Sequence, residues 1–221
     1  MPPLTSADLL SAVPVIPVVV LDEPEHAAPL ARSLLAGGVR IIEITLRTPA
    51  ALEVIRTIAA EVPGAVVGAG TVTTPGQVRQ AVTAGAQFLV SPGTTGQLLD
   101  AMDDAALPCL PGVATASEVM RLLERGRREM KFFPAEASGG KAFLNAIAAP
   151  LPDARFCPTG GISPATAPGY RALPNVGCVG GTWLTPAEAI AAGDWQRIEQ
   201  LAAMSTGQPQ KAVSLRQGAE A

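Results

Sequence analysis

Short apolar runs alternate with longer amphipathic stretches along this chain. The apolar runs fall at Val15–Leu21, Val39–Arg47, Ala65–Thr71, Phe88–Ser91, Pro108–Pro111, Met130–Phe133, Arg155–Pro158 and Val176–Gly180. They are β-branched or mixed-apolar, too short for typical helices, and often beside Gly or Pro, which predicts strands. Between them, Glu25–Ala36, Pro49–Glu61, Pro75–Ala84, Gln97–Ala105, Ser117–Arg125, Gly140–Ala148 and Pro164–Arg171 read as helices. Thr48-Pro49, Thr74-Pro75, Thr115 and Ser163-Pro164 have the chemistry of an N-cap followed by a first turn. A short helix over Thr5–Ala12 is expected before the first strand, and a last one over Ile190–Met204.

Eight strands with helices interleaved imply parallel pairing, because parallel neighbours need crossover connections. Eight such units in 221 residues favour closure over an open doubly wound sheet. The expected fold is therefore α/β, a single (β/α)8 TIM barrel with a short N-terminal helix over residues 1–205. The polar, Gly/Gln-rich stretch 206–221 reads as a loosely ordered C-terminal tail.

Composition narrows the function. With 48% hydrophobic and 16% charged residues and a net charge of -3, the chain has ample core material and no basic stripe for nucleic acid. Partners are expected to be small molecules or copies of itself. Three cysteines, Cys109, Cys157 and Cys178, make no C-x-x-C pair and argue against a disulfide framework or zinc site. Met1–Asp8 lacks the pattern of a signal peptide, and the apolar run Val13–Leu21 is too short and too proline-broken to span a bilayer. No membrane association is expected, and the location is read as cytoplasmic.

In such a barrel the chemistry lies at the C-terminal ends of the strands. There Glu43, Thr45 and Arg47 alternate with Ile44 and Leu46 and share one face. A carboxylate and a guanidinium buried together indicate either a ligand site or a structural ion pair. Lys131 is the one lysine of three that falls within a strand, flanked by Met130, Phe132 and Phe133. Desolvation favours the free amine, which can attack a carbonyl to form a Schiff base. Taken alone, a lysine snorkelling at a strand end fits equally well. Gly160-Gly161, before an expected helix start at Ile162-Ser163-Pro164, and Gly180-Gly181-Thr182 close the last two strands. Loops there commonly bind phosphate, and tight turns are the alternative.

Other motifs fail. Gly68-Ala69-Gly70 lacks the third glycine of a dinucleotide fingerprint, and Gly139-Gly140-Lys141 is followed by Ala142 where a P-loop needs Ser or Thr. The lone His26 has no second histidine for a metal site, so no metal is expected.

Five segments in order, Gly38–Thr48, Val67–Thr71, Phe88–Gly93, Lys131–Glu136 and Cys157–Ser163, resemble the 2-keto-3-deoxy-6-phosphogluconate and 4-hydroxy-2-oxoglutarate aldolases. The resemblance runs from about Val15 to Met204. It implies a class I aldolase, a homotrimer of barrels with no cofactor, cleaving a phosphorylated 2-keto acid to pyruvate and glyceraldehyde 3-phosphate. By motif position it implies Lys131 as Schiff-base amine and Glu43 as general acid/base through a water. It also implies that Arg47, Thr71 and Pro92 hold the pyruvate carboxylate, that Phe133 walls the pocket, and that Thr159 lies near the C4 hydroxyl. Gly160, Gly161, Gly181 and Thr182 would take the phosphate.

The chain departs from many members in Thr182, where they carry serine. Thr159 resembles the gluconate-type enzymes, since galactonate-type relatives tend to carry an apolar residue there. The galactonate epimer and 4-hydroxy-2-oxoglutarate stay open as main substrates. A phosphate-binding isomerase or epimerase using Glu43 as base, and a non-catalytic sugar-phosphate binder, are the rival functions.

Overall fold

The structure, a computed structural model, describes residues 4–207. Nearly all of the expected tail, from residue 208 on, lies outside the described residues. The strands are β1 (Val15–Val19), β2 (Ile41–Thr45), β3 (Val66–Gly70), β4 (Leu89–Val90), β5 (Cys109–Leu110), β6 (Gly112–Val113), β7 (Glu129–Phe132), β8 (Arg155–Pro158) and β9 (Val179–Gly181). The expected fifth strand is thus divided into β5 and β6 at Pro111, which has no N–H to continue a ladder.

All pairings are parallel. One sheet runs β5-β4-β3-β2-β1-β9 and a second β6-β7-β8. Isolated bridges Phe156–Val176 and Thr159–Gly180 bring the β8 side next to β9. The architecture is therefore a curled α/β sheet of parallel strands, the coarser form of the expected barrel.

Helices α1 (Ser6–Ser11), α2 (Ala27–Ala36), α3 (Ala51–Glu61), α4 (Pro75–Thr83), α5 (Gly96–Asp104), α6 (Ala116–Glu124), α7 (Gly140–Ala148) and α8 (Ala167–Arg171) follow the expected order. Thr74 and Thr115 are N-caps whose side chains accept from the helix N–H groups. Thr48 is not a cap: its hydroxyl donates to the Leu21 carbonyl at 2.7 Å, and α3 starts at Ala51 without a side-chain cap. The single helix expected over Ile190–Met204 is two, α9 (Ala187–Ala191) and α10 (Trp195–Thr206). Gly193 lies between them with φ +63, and Asp194 starts α10 afresh by accepting from the Arg197 N–H.

Two apolar clusters organise the core. The larger lies between the convex face of the sheet and the helices and includes Val19, Leu30, Ile42, Ile44, Ile55 and Phe156. The smaller gathers Ile16, Ile41, Val66, Phe88, Val90, Leu110, Cys157 and Cys178 with Leu9, Leu10 and Val13 of the α1 segment. Since residues two apart on a strand share a face, this second set marks the concave face, and α1 closes its end. Among the described residues no helix is long and apolar enough to cross a membrane.

Candidate active site

On β2 the concave face begins with Ile41 in the apolar cluster and continues two residues on to Glu43. Glu43 is 3% exposed and Lys131, on β7, is equally buried. Nζ of Lys131 donates to Oε1 of Glu43 at 3.1 Å. The sequence expectation that Glu43 would be buried with Arg47 is therefore corrected: β2 ends at Thr45, and Arg47 lies in the following turn, exposed. The lysine, from the opposite side of the fold, is the partner.

Space for this pair comes from glycine. A Cβ on Gly70 would stand 2.1 Å from Glu43 Oε1, so the adjacent strand must be bare there. Burying two charges costs several kcal/mol per ion, on the order of magnitude, unless they pair or meet a ligand. Paired at hydrogen-bond distance, the two side chains lie close enough for a proton to move between them in a reaction. Phe133 flanks the amine, its ring centroid 5.4 Å from Nζ.

Above the pair, at the C-terminal ends of β2 and β3, Arg47 Nε donates to Thr71 Oγ1 at 3.2 Å. Thr71 has φ +57, which is rare for a β-branched residue and costs roughly 1–3 kcal/mol. Strain of that kind persists where neighbours hold it in place, and here the Val72 N–H, bonded to the Val90 carbonyl, helps to do so. Pro92 is half-buried beside Gly112, the register partner of Lys131; a Cβ on Gly112 would fall 2.3 Å from the Pro92 carbonyl carbon. Arg47 and Thr71 thus meet directly, and Pro92 sits by the lysine strand.

Thr159 follows β8, is 6% exposed, and faces Gly180: a Cβ on Gly180 would lie 2.2 Å from its hydroxyl. Gly160 and Gly161 have φ +103 and +77, the left-handed region that glycine enters without penalty. Gly160 lies against the Phe133 ring, so the aromatic side chain joins the lysine to this loop. The helix start expected at Ile162-Ser163-Pro164 is not there. Ser163 and Thr166 instead hydrogen-bond to each other in a turn, and the five-residue α8 begins at Ala167. Any anion at Gly160-Gly161 would therefore meet loop N–H groups. On the neighbouring strand end, Gly181 is buried over Trp183 and Thr182 is exposed.

Sequence reasoning passed over several residues that shape the site. Ser91, fully buried, accepts from the Gly112 N–H at 3.1 Å and so joins the β4 end to β6. Tyr170, on α8, donates to Glu136 at 2.6 Å, joining that helix to the loop after β7. Glu136 ends the Lys131–Glu136 segment and Tyr170 is the only tyrosine of the chain, but nothing in their spacing reports the contact. Among the described residues no group of three His, Cys, Asp or Glu side chains could hold a metal ion.

Comparison with known proteins gives a consistent result. The chain matches the family described as "Aldolase: KDPG and KHG aldolase" over residues 7–201. It is 55% identical over 199 residues to the 2-dehydro-3-deoxy-phosphogluconate aldolase of Dickeya dadantii, and 54% identical over 199 residues to the KHG/KDPG aldolase of Escherichia coli. Each alignment covers 90% of this chain and 93% of the relative. The crystal structure of the KDPG aldolase of Legionella pneumophila, which holds pyruvate as a covalent carbinolamine intermediate, superimposes with a TM-score of 0.90 at 45% identity. That comparison covers 92% of this chain and 98% of the other.

Proposed function

Because the chain belongs to the KDPG and KHG aldolase family, we propose that it is a class I aldolase cleaving 2-keto-3-deoxy-6-phosphogluconate to pyruvate and D-glyceraldehyde 3-phosphate. The observation that carries the mechanism is the buried 3.1 Å contact between Lys131 Nζ and Glu43 Oε1. Lys131 attacks the C2 carbonyl of the keto acid and, with loss of water, forms an iminium that accepts the electron pair of the breaking C3–C4 bond. Glu43, directly or through a water, takes the C4 hydroxyl proton as the aldehyde leaves, then returns a proton to C3 of the enamine. Hydrolysis of the pyruvyl iminium frees the lysine.

In this reading Arg47 and Thr71, with the turn at Pro92, hold the pyruvate carboxylate. Phe133 walls the pocket, and Thr159 addresses the C4 hydroxyl. The N–H groups around Gly160 and Gly161, with Gly181 and the Thr182 hydroxyl, receive the phosphate. The two sheets form one eight-stranded barrel interrupted at Pro111, a reading supported by the β8–β9 bridges. The protein acts in the cytoplasm as a homotrimer, as the family resemblance implies, and its mass by sedimentation should be three times 22.5 kDa.

Incubation with pyruvate and borohydride, followed by peptide mass spectrometry, tests the mechanism. A reduced pyruvyl group on Lys131 is expected. A folded protein that binds pyruvate without forming the adduct would instead favour a non-covalent isomerase with Glu43 as base.

A further inference from the structure

Two loops meet at the proposed phosphate end of the site, one after β7 and one after β8. The backbone ties them twice: the Ala135 N–H donates to the Thr159 carbonyl at 2.8 Å, and the Glu136 N–H to the Gly160 carbonyl at 3.1 Å. A third tie is made by side chains, from the Tyr170 hydroxyl to Glu136 Oε1 at 2.6 Å. Tyr170 comes from α8 and is fully buried, whereas Glu136 is exposed. A buried phenol needs only one acceptor, and any backbone carbonyl would serve. This one reaches instead for a carboxylate at the surface, so the one bond satisfies the buried hydroxyl and fixes the position of Glu136.

The surroundings are cut to fit. Gly140 leaves room for the hydroxyl, since a Cβ there would stand 2.9 Å from it. Gly161 rests on the stem of Glu136, where a Cβ would be 2.7 Å from Cγ. Burial, followed by the hydrogen bond to Glu136, raises the Tyr170 hydroxyl far above its ordinary range and keeps it a donor.

We propose that Tyr170 and Glu136 are positioning residues for phosphate recognition: their hydrogen bond seats the Glu136 stem beneath Gly161 and anchors its carboxylate on the Gly140 side of the loop. The inference rests on the reading that Gly160 and Gly161 receive the substrate phosphate.

The test compares Tyr170→Phe, Glu136→Ala, Glu136→Gln, Gly161→Ala and the Tyr170→Phe/Glu136→Ala double variant with the parent protein. Three quantities are read: KM and kcat for the phosphorylated keto acid, inhibition by inorganic phosphate, and the pyruvate concentration that half-saturates borohydride trapping at Lys131. Tyr170→Phe is expected to raise KM about tenfold, the scale of one hydrogen bond to a charged group, and to weaken phosphate inhibition equally. Trapping and kcat should stay within about twofold. Glu136→Ala should match it, the double variant should add nothing, and Glu136→Gln, which keeps an acceptor, should resemble the parent.

Equal losses in phosphate and pyruvate binding, additive single variants, or an unchanged KM in Tyr170→Phe while Gly161→Ala is impaired would overturn the positioning role alone. Unchanged phosphate binding in Gly161→Ala would overturn the phosphate reading of the loop, and the inference with it.

Discussion

At the N-terminal ends of the strands the concave face is filled by Ile16, Ile41, Val66, Phe88 and Leu110 and closed by Leu9, Leu10 and Val13. Toward the C-terminal ends the concave side presents Glu43, Lys131 and Thr159, with bare glycine backbone at Gly70 and Gly180 beside them. The first region gains hydrophobic free energy, about 25 cal/mol for each Å² of apolar surface removed from water. The second gives up packing and holds an ion pair whose desolvation its own attraction only offsets. The two neighbouring layers thus differ in kind, one apolar and stabilising the fold, the other polar and assigned to the proposed chemistry. If that division is real, substitutions in the two regions must separate activity from stability.

The largest expected effect is on activity. Lys131→Ala should lower kcat/KM by roughly ten-thousandfold or more, about 5.5 kcal/mol of barrier, and abolish the pyruvate adduct. Removing the amine also leaves the buried Glu43 carboxyl without its partner, so a loss of melting temperature is expected alongside. Steady-state kinetics beside calorimetry checks this. Retained turnover would break the comparison at once, since the polar layer would then be structural.

Next is Glu43→Gln, expected to keep the pyruvyl adduct while turnover drops by about a hundredfold to ten-thousandfold, the usual range for loss of a general acid/base. Borohydride trapping against turnover in one preparation separates the two steps. Unchanged turnover would remove Glu43 from the proton path.

Phe88→Ala probes the other region. Phe88 is fully buried, and its ring fills the space before Gly68. The change should cost about 3–5 kcal/mol in denaturant unfolding, while kcat per folded molecule stays close to that of the parent. A large loss of kcat in the folded fraction would show that the apolar layer positions the ion pair above it.

Much of this contrast was legible in the sequence. The alternation of β2 announced an inward polar face, and the scarcity of lysine singled out Lys131, because both signals are local and periodic. The partner of Glu43 was not legible. Lys131 is 88 positions away, and only the curl of the sheet brings it closer than Arg47. The turn after Thr45 carries Arg47 out of the strand, a change of direction that apolar alternation cannot report. Ser163-Pro164 had the composition of a helix start, but Ser163 and Thr166 satisfy each other and delay α8. The tie between Tyr170 and Glu136 depends on the gap left by Gly140, a feature of packing with no periodic signature.

The smallest expected effect concerns the helix caps at the two ends. Thr115 and Glu118 form a capping box at the start of α6, just beyond β6, and Glu118 also accepts from the Ala114 N–H at 2.8 Å. Thr5 and Asp8 form the counterpart on α1. Partial burial pushes the Glu118 carboxyl up, but hydrogen bonds from Ala114 and Thr115 outweigh it, and the net shift is downward. A carboxyl lower in the folded than in the unfolded state adds stability above its unfolded range, about pH 4.3, and that stability is lost as pH falls through the folded value. Glu118→Gln should therefore cost roughly 0.5–1 kcal/mol at neutral pH, with the gap to the parent closing below about pH 4 and turnover unchanged. Asp8, fully exposed and held low chiefly by its hydrogen bonds with Thr5, should show the same sign in Asp8→Asn. Unfolding titrations of both variants across that range decide it: a gap that persists in acid would mean the Glu118 contribution is packing, and a loss of turnover would mean the α6 cap reaches the site.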